Sequence, residues 1–213
     1  MFMQEFSRQA ATATLVLSPA DAGTAPGTAT AAGPRTCGLV AKTLVETADG
    51  WKPVELLRRG EALQTQDGGL ARVLAVDRQI LMPATHPLLV HVPGGAFDAC
   101  SDLLLLPDQL VLLDTLDERV AVAGREDALF VLVPALALIG LHGVRRHDLQ
   151  RTLEVITPRF AEEEMVYAQT GVLLRCPGIA SGCFSEPAES FFPELGLLEA
   201  MALLRRREWR MVA

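Results

Sequence analysis

The chain has 213 residues, half of them hydrophobic, which is enough for one domain with a substantial core. Its formal net charge is −7 and its sequence pI is about 5.1, so a nucleic-acid-binding role has no electrostatic support.

The first 36 residues predict a flexible tail and linker. Residues 19–36 are almost entirely Ala, Thr, Gly and Pro, which bury too little surface to offset the entropy of ordering the chain. Glu5 lies where a signal peptide would be positive, and the longest apolar run, residues 128–141, is shorter than the roughly 20 residues of a membrane helix. The sequence therefore predicts a cytoplasmic protein without a membrane span, with leaderless export as the alternative.

From Cys37 onward, short β-like segments alternate with turns about every ten residues, which is typical of an all-β fold. Pro107 stands in the middle of one apolar segment, so we expect two short strands around a corner there. The predicted strand segments are 42–47, 61–66, 71–81 with a bend near Asp77, 86–92, 102–114, 128–138, 152–157, 163–169 and 170–177.

The last part of the chain changes period and predicts a C-terminal α-helix. Leu197, Leu198, Met201 and Leu204 would share one face, and the cations of residues 205–207 suit the helix C-terminus. We expect this helix to dock on its own sheet; the alternative is a partner-binding helix.

The cysteines and histidines predict neither a disulfide framework nor a metal site, and the sequence predicts no cofactor. No CxxC pair occurs, so the four cysteines are expected to be mostly buried thiols in a reducing compartment: Cys37, Cys100, Cys176 and Cys183. Of the histidines, the first two would point to opposite faces of a strand and the last two would lie in a surface loop: His86, His91, His142 and His147.

The segment TLVETADGWKPVELLRRGEALQTQDGG, residues 43–69, resembles the opening of Hint domains, the Hedgehog/intein autoprocessing family. The matching positions, in order and spacing, are Thr43, Asp49-Gly50, Pro53-Val54-Glu55, Leu57 and Gly60. Further along, HPLLVHVPGGAFD, LLLLPDQLVLLD, VLVPALALIG and EEEMVYAQTGVLLRCPG resemble later motifs of the bacterial members. The order of five weak motifs over about residues 38–178 carries the resemblance.

The resemblance implies a pseudo-twofold, horseshoe-shaped β fold over residues 37–178, followed by an extension with the helix over 179–213. It also implies a chemistry. In active relatives a first cysteine attacks the carbonyl of the preceding residue to form a thioester, and a histidine in a Ser-Pro-x-His block protonates the departing amide nitrogen.

The sequence departs from that pattern at the reacting groups. The family cysteine would fall at Gly38, and Cys37 stands one residue too early, although a β-bulge could absorb the shift. The family glycine before Thr43 is Lys42. After Pro107 and Asp108, the histidine position holds Gln109, whose amide cannot exchange a proton near pH 7.

Two polar groups near these positions have a functional and an ordinary interpretation. Asp108-Gln109 could be a repurposed polar pair in the cleft, or simply the turn after Pro107, which we favour. Residues 162–164, where active relatives often carry a histidine, are three glutamates; a general-acid pair is conceivable, but a solvated loop is the expected structure.

The preferred interpretation is a degenerate, non-splicing Hint domain that acts as a binding or structural module and has no enzymatic activity. Its expected partner is another protein, and its oligomeric state is open. The alternative is an autoproteolytic domain in which Cys37 cleaves the Thr36–Cys37 bond through a thioester.

Overall fold

The computed structural model describes residues 37–66, 69–85, 88–115, 120–122, 125–179 and 190–211. These ranges are mostly β with one C-terminal α-helix, as predicted. The first strands are β1 Leu39–Val40, β2 Leu44–Thr47, β3 Gly50–Pro53, β4 Ala62–Thr65, β5 Gly69–Arg72, β6 Ala75–Leu81, β7 Leu88–Val92 and β8 Leu103–Leu105. The later elements are β9 Leu110–Asp114, β10 Val120–Val122, β11 Arg125–Ala128, β12 Phe130–Pro134, β13 Arg145–Asp148, β14 Leu153–Arg159, β15 Glu164–Ala168, β16 Val172–Cys176 and α1 Leu197–Met211.

The strands form four sheets. The largest has the order β12-β9-β16-β15-β2-β4-β5, with β3 paired to β2 at its side. Two three-stranded sheets have the orders β1-β14-β6 and β13-β7-β8, and β10 pairs with β11. None of the helices in the described ranges is long and apolar enough to cross a bilayer.

Two of the predicted turns are present, and one predicted strand is divided. The Asp49-Gly50 turn joins β2 to β3, and the chain turns a corner at Pro107 between β8 and β9. The prediction of one strand over 71–81 bent near Asp77 is wrong, because the chain changes sheets earlier. The N–H of Leu74 donates to Arg159 O at 2.8 Å, which carries the chain from β5 of the largest sheet to β6 of another.

The short strand β1 lies between two apolar clusters, and this fixes the segment that precedes it. Leu39 is 1% exposed in the largest core cluster, whereas Val40 is 2% exposed in a second cluster with Leu106 and Val155. β1 pairs antiparallel with β14 in the register Leu39↔Ile156. Continued by two residues, this register places residues 37 and 38 beside Thr157 and Pro158, in the C-terminal half of β14.

Helix α1 docks on its own domain, but through a different face from the predicted one. Leu198 is 80% exposed and Leu197 is partly exposed, so placing these two on the apolar face is wrong. The buried face instead contains Ala200, Leu203 and Leu204, which join the largest core cluster. The prediction failed because it followed the leucines and gave too little weight to the small Ala200, which permits close packing.

This docking predicts that Leu204→Ala lowers the free energy of unfolding by about 2–4 kcal/mol, since it removes a buried leucine side chain. Leu198→Ala is the matched control on the same helix and should change stability by less than about 0.5 kcal/mol. Urea unfolding followed by circular dichroism measures both. Equal, small effects would contradict a docked helix.

Candidate functional site

One peptide bond, between Cys37 and Gly38, is held at both of its polar atoms. The N–H of Gly38 donates to Gln109 Oε1 at 3.2 Å, and the Thr157 hydroxyl donates to the carbonyl oxygen of Cys37 at 3.0 Å. The partners lie far away in sequence, on the corner before β9 and on β14. The candidate site therefore consists of two side chains, Gln109 and Thr157, that hold the Cys37–Gly38 peptide by hydrogen bonds. We call this arrangement the amide clamp.

Gln109 is only 1% exposed and every N–H of its amide is used. Its Nε2 donates to Leu110 O at 3.1 Å and to Arg175 O at 2.9 Å, while Oε1 accepts from Gly38. Two carbonyl acceptors on one side and an N–H donor on the other fix the orientation of the amide. The side chain thus connects the segment before β1 to β9 and β16.

Gly38 has a backbone conformation that only glycine adopts readily, with φ +138°. A Cβ atom at this position would lie 2.5 Å from Thr157 Oγ1 and 2.5 Å from Val155 Cγ1. The close approach of β14 leaves no room for a side chain. The position where the family pattern places its cysteine therefore cannot hold one unless the side chains of Val155 and Thr157 move.

The opening motif, residues 43–69, positions the turn after β1. Lys42 stands at φ +76°, a left-handed conformation that explains why the family pattern has glycine there. Its N–H donates to Glu55 Oε2 at 2.7 Å, and the N–H of Val54 donates to Thr43 O at 2.9 Å. Thr43 itself is buried, at 3% exposure. Thr43, Val54 and Glu55 therefore support the turn after β1.

Pro107 and Asp108 form the corner between β8 and β9. The carbonyl of Pro107 accepts from Leu136 N at 3.0 Å, and Asp108 is exposed. The structure therefore separates the hypothetical Asp108-Gln109 pair, since one member faces solvent and the other is buried in the clamp.

The cysteines differ more than predicted. Cys37 is partly buried, Cys100 is exposed and Cys176 is buried, while Cys183 lies outside the described residues, so "mostly buried" is wrong for Cys100. Burial, followed by the nearby Cys37 thiol, raises the pKa of Cys176 far above its usual range. Cys176 therefore stays protonated near neutral pH and is a poor nucleophile.

The acidic run is not a solvated loop throughout. Glu163 accepts hydrogen bonds from the Arg175 guanidinium and the Ser190 hydroxyl, and Glu164 begins β15. Only Glu162 of the three is exposed. The loop prediction failed because the partners of Glu163 are 12 and 27 residues away.

The histidines have local roles. His91 Nε2 lies 3.0 Å from Asp102 Oδ2, and the Gly94 N–H together with His91 lowers the pKa of Asp102. His142 lies in a turn, but His147 is on strand β13, so the loop assignment is wrong for His147. His86 lies outside the described residues. The described part of the chain contains no group of three side chains that could hold a metal ion.

Sequence reasoning missed Thr157. The sequence does contain a pattern that points to Thr157: a hydroxyl residue follows Val155 and Ile156 within an apolar strand, and both of these residues are buried. Such a residue needs a hydrogen-bond partner when the strand is buried. The partner, the carbonyl of Cys37, is 120 residues away and could not be identified from local pattern.

Comparison with known families and structures gives one family match. A family model described as Hint domain matches residues 37–172, more than half of the 213 residues. None of the curated proteins matches the chain.

Several solved structures of inteins and intein-like domains are similar. A splice-inactive, GSH-linked variant of the AceL NrdHF class 3 split intein is 13% identical, with 66% of this chain and 97% of that chain covered at a TM-score of 0.44. A bacterial intein-like domain from Clostridium thermocellum is 13% identical, with 66% and 99% covered at 0.44. The MchDnaB-1 intein is 15% identical, with 64% and 98% covered at 0.39.

The lack of space at residue 38 predicts that Gly38→Ala lowers the free energy of unfolding by about 2–4 kcal/mol, through strain and overlap with β14. Gly50→Ala is the matched control, because Gly50 also has positive φ, at +107°, but nothing lies within 4 Å of its Cβ position. It should cost only about 1–2 kcal/mol of backbone strain. Chemical denaturation compares the two; a smaller effect at Gly38 than at Gly50 would contradict the described packing.

The contacts of Gln109 predict a pH-dependent defect in Gln109→Glu. The introduced carboxylate would face the carbonyl oxygens of Leu110 and Arg175, and its burial would raise its folded-state pKa. As pH rises, the glutamate ionises in the unfolded state before it ionises in the folded state. The free energy of unfolding of the variant, relative to that of the unsubstituted protein, therefore falls above about pH 4.3. The fall is up to about 1.4 kcal/mol per pH unit until the folded-state pKa is reached.

Thermal unfolding from pH 4 to pH 8 measures this effect, with Gln79→Glu on the exposed part of β6 as control. The difference in melting temperature between Gln109→Glu and the native protein should widen with pH, and that of the control should stay nearly constant. A pH-independent difference would show that Gln109 does not face two carbonyl oxygens.

Proposed function

The chain belongs to the Hint domain family, as its motifs predicted, and on this basis we propose that it is a non-cleaving member that acts as a binding or structural module. The amide clamp holds the peptide that precedes its first strand, and the residues before that peptide are not released. We further propose that it acts in the cytoplasm with a protein partner, since its net charge of −7 disfavours nucleic acid.

The observation that carries this proposal is that the clamped peptide has no nucleophile. Attack on the carbonyl of Cys37 through a favourable five-membered ring needs a thiol or hydroxyl on residue 38, and Gly38 has no side chain. The thiol of Cys37 reaches its own carbonyl only through a strained four-membered ring. The two hydrogen bonds of the amide clamp therefore hold a peptide bond, Cys37–Gly38, that neither Cys37 nor Gly38 can cleave.

Gln109 supports the same proposal from the side of the leaving group. Cleavage requires a proton for the departing nitrogen, and an amide does not supply one near pH 7. Its N–H groups are moreover committed to Leu110 O and Arg175 O, and only its oxygen faces Gly38 N. The position thus holds the peptide nitrogen as a fixed donor and cannot act as an acid.

Reversion of one residue would not restore the chemistry. A cysteine at position 38 would place its Cβ 2.5 Å from Thr157 Oγ1 and Val155 Cγ1, so it would first have to displace both side chains, including the hydroxyl that holds the Cys37 carbonyl. Relative to the family pattern, the nucleophile at residue 38, the acid at residue 109 and the space around residue 38 all differ. This favours a stable holding role over a temporarily inactive protease.

The test is the intact mass of freshly purified protein before and after overnight dithiothreitol or hydroxylamine, beside Cys37→Ala. Both nucleophiles capture thioesters, so an autoprocessing domain would release its first 36 residues. We expect the full-length mass in every sample.

A fragment that begins at Cys37, is promoted by either reagent and is absent from Cys37→Ala would overturn the proposal. It would establish the alternative, cleavage at Thr36–Cys37. A fragment present in both proteins would be cleavage by a contaminating protease and is excluded by repeating the incubation with protease inhibitors.

A further inference from the structure

Strand β13 is an edge strand with an open side. It pairs with β7 in the register from Arg145↔His91 to Asp148↔Leu88, and β7 pairs with β8 on its other side. No second strand pairs with β13 in the described part of the chain. Because backbone groups alternate in direction along an antiparallel strand, every second residue of β13 directs its N–H and C=O away from the sheet. An edge of this kind can accept another strand.

The edge is held rigidly although its side chains are exposed. Val144 and Leu149 flank β13 and are 3% and 6% exposed, so both ends of the strand are anchored in the core. The N–H of Val144 also donates to Leu141 O at 2.8 Å. Between these anchors, all four side chains of β13 are exposed. A fixed strand loses little conformational entropy when it binds.

The charges of β13 complement a reversed copy of the same strand. Arg146 and Asp148 are two residues apart and lie on one face. Neither makes an ion pair with any other described residue. When two copies of β13 pair antiparallel around a two-fold axis at His147, Arg146 of each copy stands directly opposite Asp148 of the other.

We propose that β13 is a self-association edge at which a second copy of this chain adds its own β13, so that the two β13-β7-β8 sheets become continuous. Directly opposed Cβ atoms in such a pair are about 4.5–5.5 Å apart, so the Arg146–Asp148 pair forms twice, once on each side of the axis. The interface is isologous, as a two-fold dimer requires.

The charges also select the register. An axis through Arg145, Arg146 or Asp148 would place that charge against its own copy, which destabilises a cross-strand pair. An axis at His147 opposes unlike charges and places only the imidazoles against each other.

The four-residue strand is short and each copy carries a net charge of −7, so the dimer should be weak and reversible, forming at roughly 10 µM to 1 mM at physiological salt.

A charge-swap experiment tests this directly. Analytical ultracentrifugation of the native protein should show a concentration-dependent dimer of the 22.9 kDa chain. Arg146→Asp alone and Asp148→Arg alone each oppose like charges and should be monomeric over the same range. An equimolar mixture of the two variants opposes unlike charges at both positions, so it should regain the dimer. Arg72→Asp, on the exposed end of β5, is the control for the change in net charge and should dimerise like the native protein.

A native protein that stays monomeric to about 1 mM would overturn the proposal, since that exceeds the range of specific weak dimers. So would a dimer that survives both single variants, or a mixture that stays monomeric while the native protein dimerises. Both substituted side chains are exposed, and unchanged melting temperatures would confirm that the variants are folded.

Discussion

The position of the first strand depends on one buried side-chain amide. Gln109 is 1% exposed and joins Gly38 N, Leu110 O and Arg175 O, three groups from separate parts of the chain. An unsatisfied buried polar group costs about 1–3 kcal/mol, so loss of this amide would leave three such groups at once. β1 itself contributes only two residues to its sheet, so this amide adds to the burial of Leu39 and Val40 in holding the strand.

An amide and an imidazole at this position would have opposite consequences. Both can bond to the nitrogen of a nearby peptide, but only the imidazole can give that nitrogen a proton near pH 7. With Gln109 the same contact becomes a permanent hydrogen bond. The Thr157 hydroxyl, 3.0 Å from the Cys37 carbonyl, then acts as a second tie. The two hydrogen bonds together hold the Cys37–Gly38 peptide at both of its polar atoms.

Local chemistry made part of this predictable from the sequence. The Asp49-Gly50 turn and the Pro107 corner follow from residue types, and the order of motifs located Gln109 at the site. Thr157, Glu163 and the change of sheet at Leu74 could not be predicted, because each is determined by a partner far along the chain, up to 120 residues away for Thr157. The buried face of α1 could not be predicted for a related reason: tertiary packing determines which face of the helix meets the core, and this was not the face with the most leucines.

The clamp and the edge strand are not independent parts of the molecule. The second apolar cluster contains Val40 and Leu106, which flank the clamp, and also Leu89 and Leu149, which support β13. These four side chains are 0–6% exposed, and such cores transmit displacement because they contain few voids. Holding β1 in place therefore also fixes the support of β13. A first strand held in this way gives the domain a rigid platform, and rigidity is what a short edge strand needs in order to bind with so few contacts.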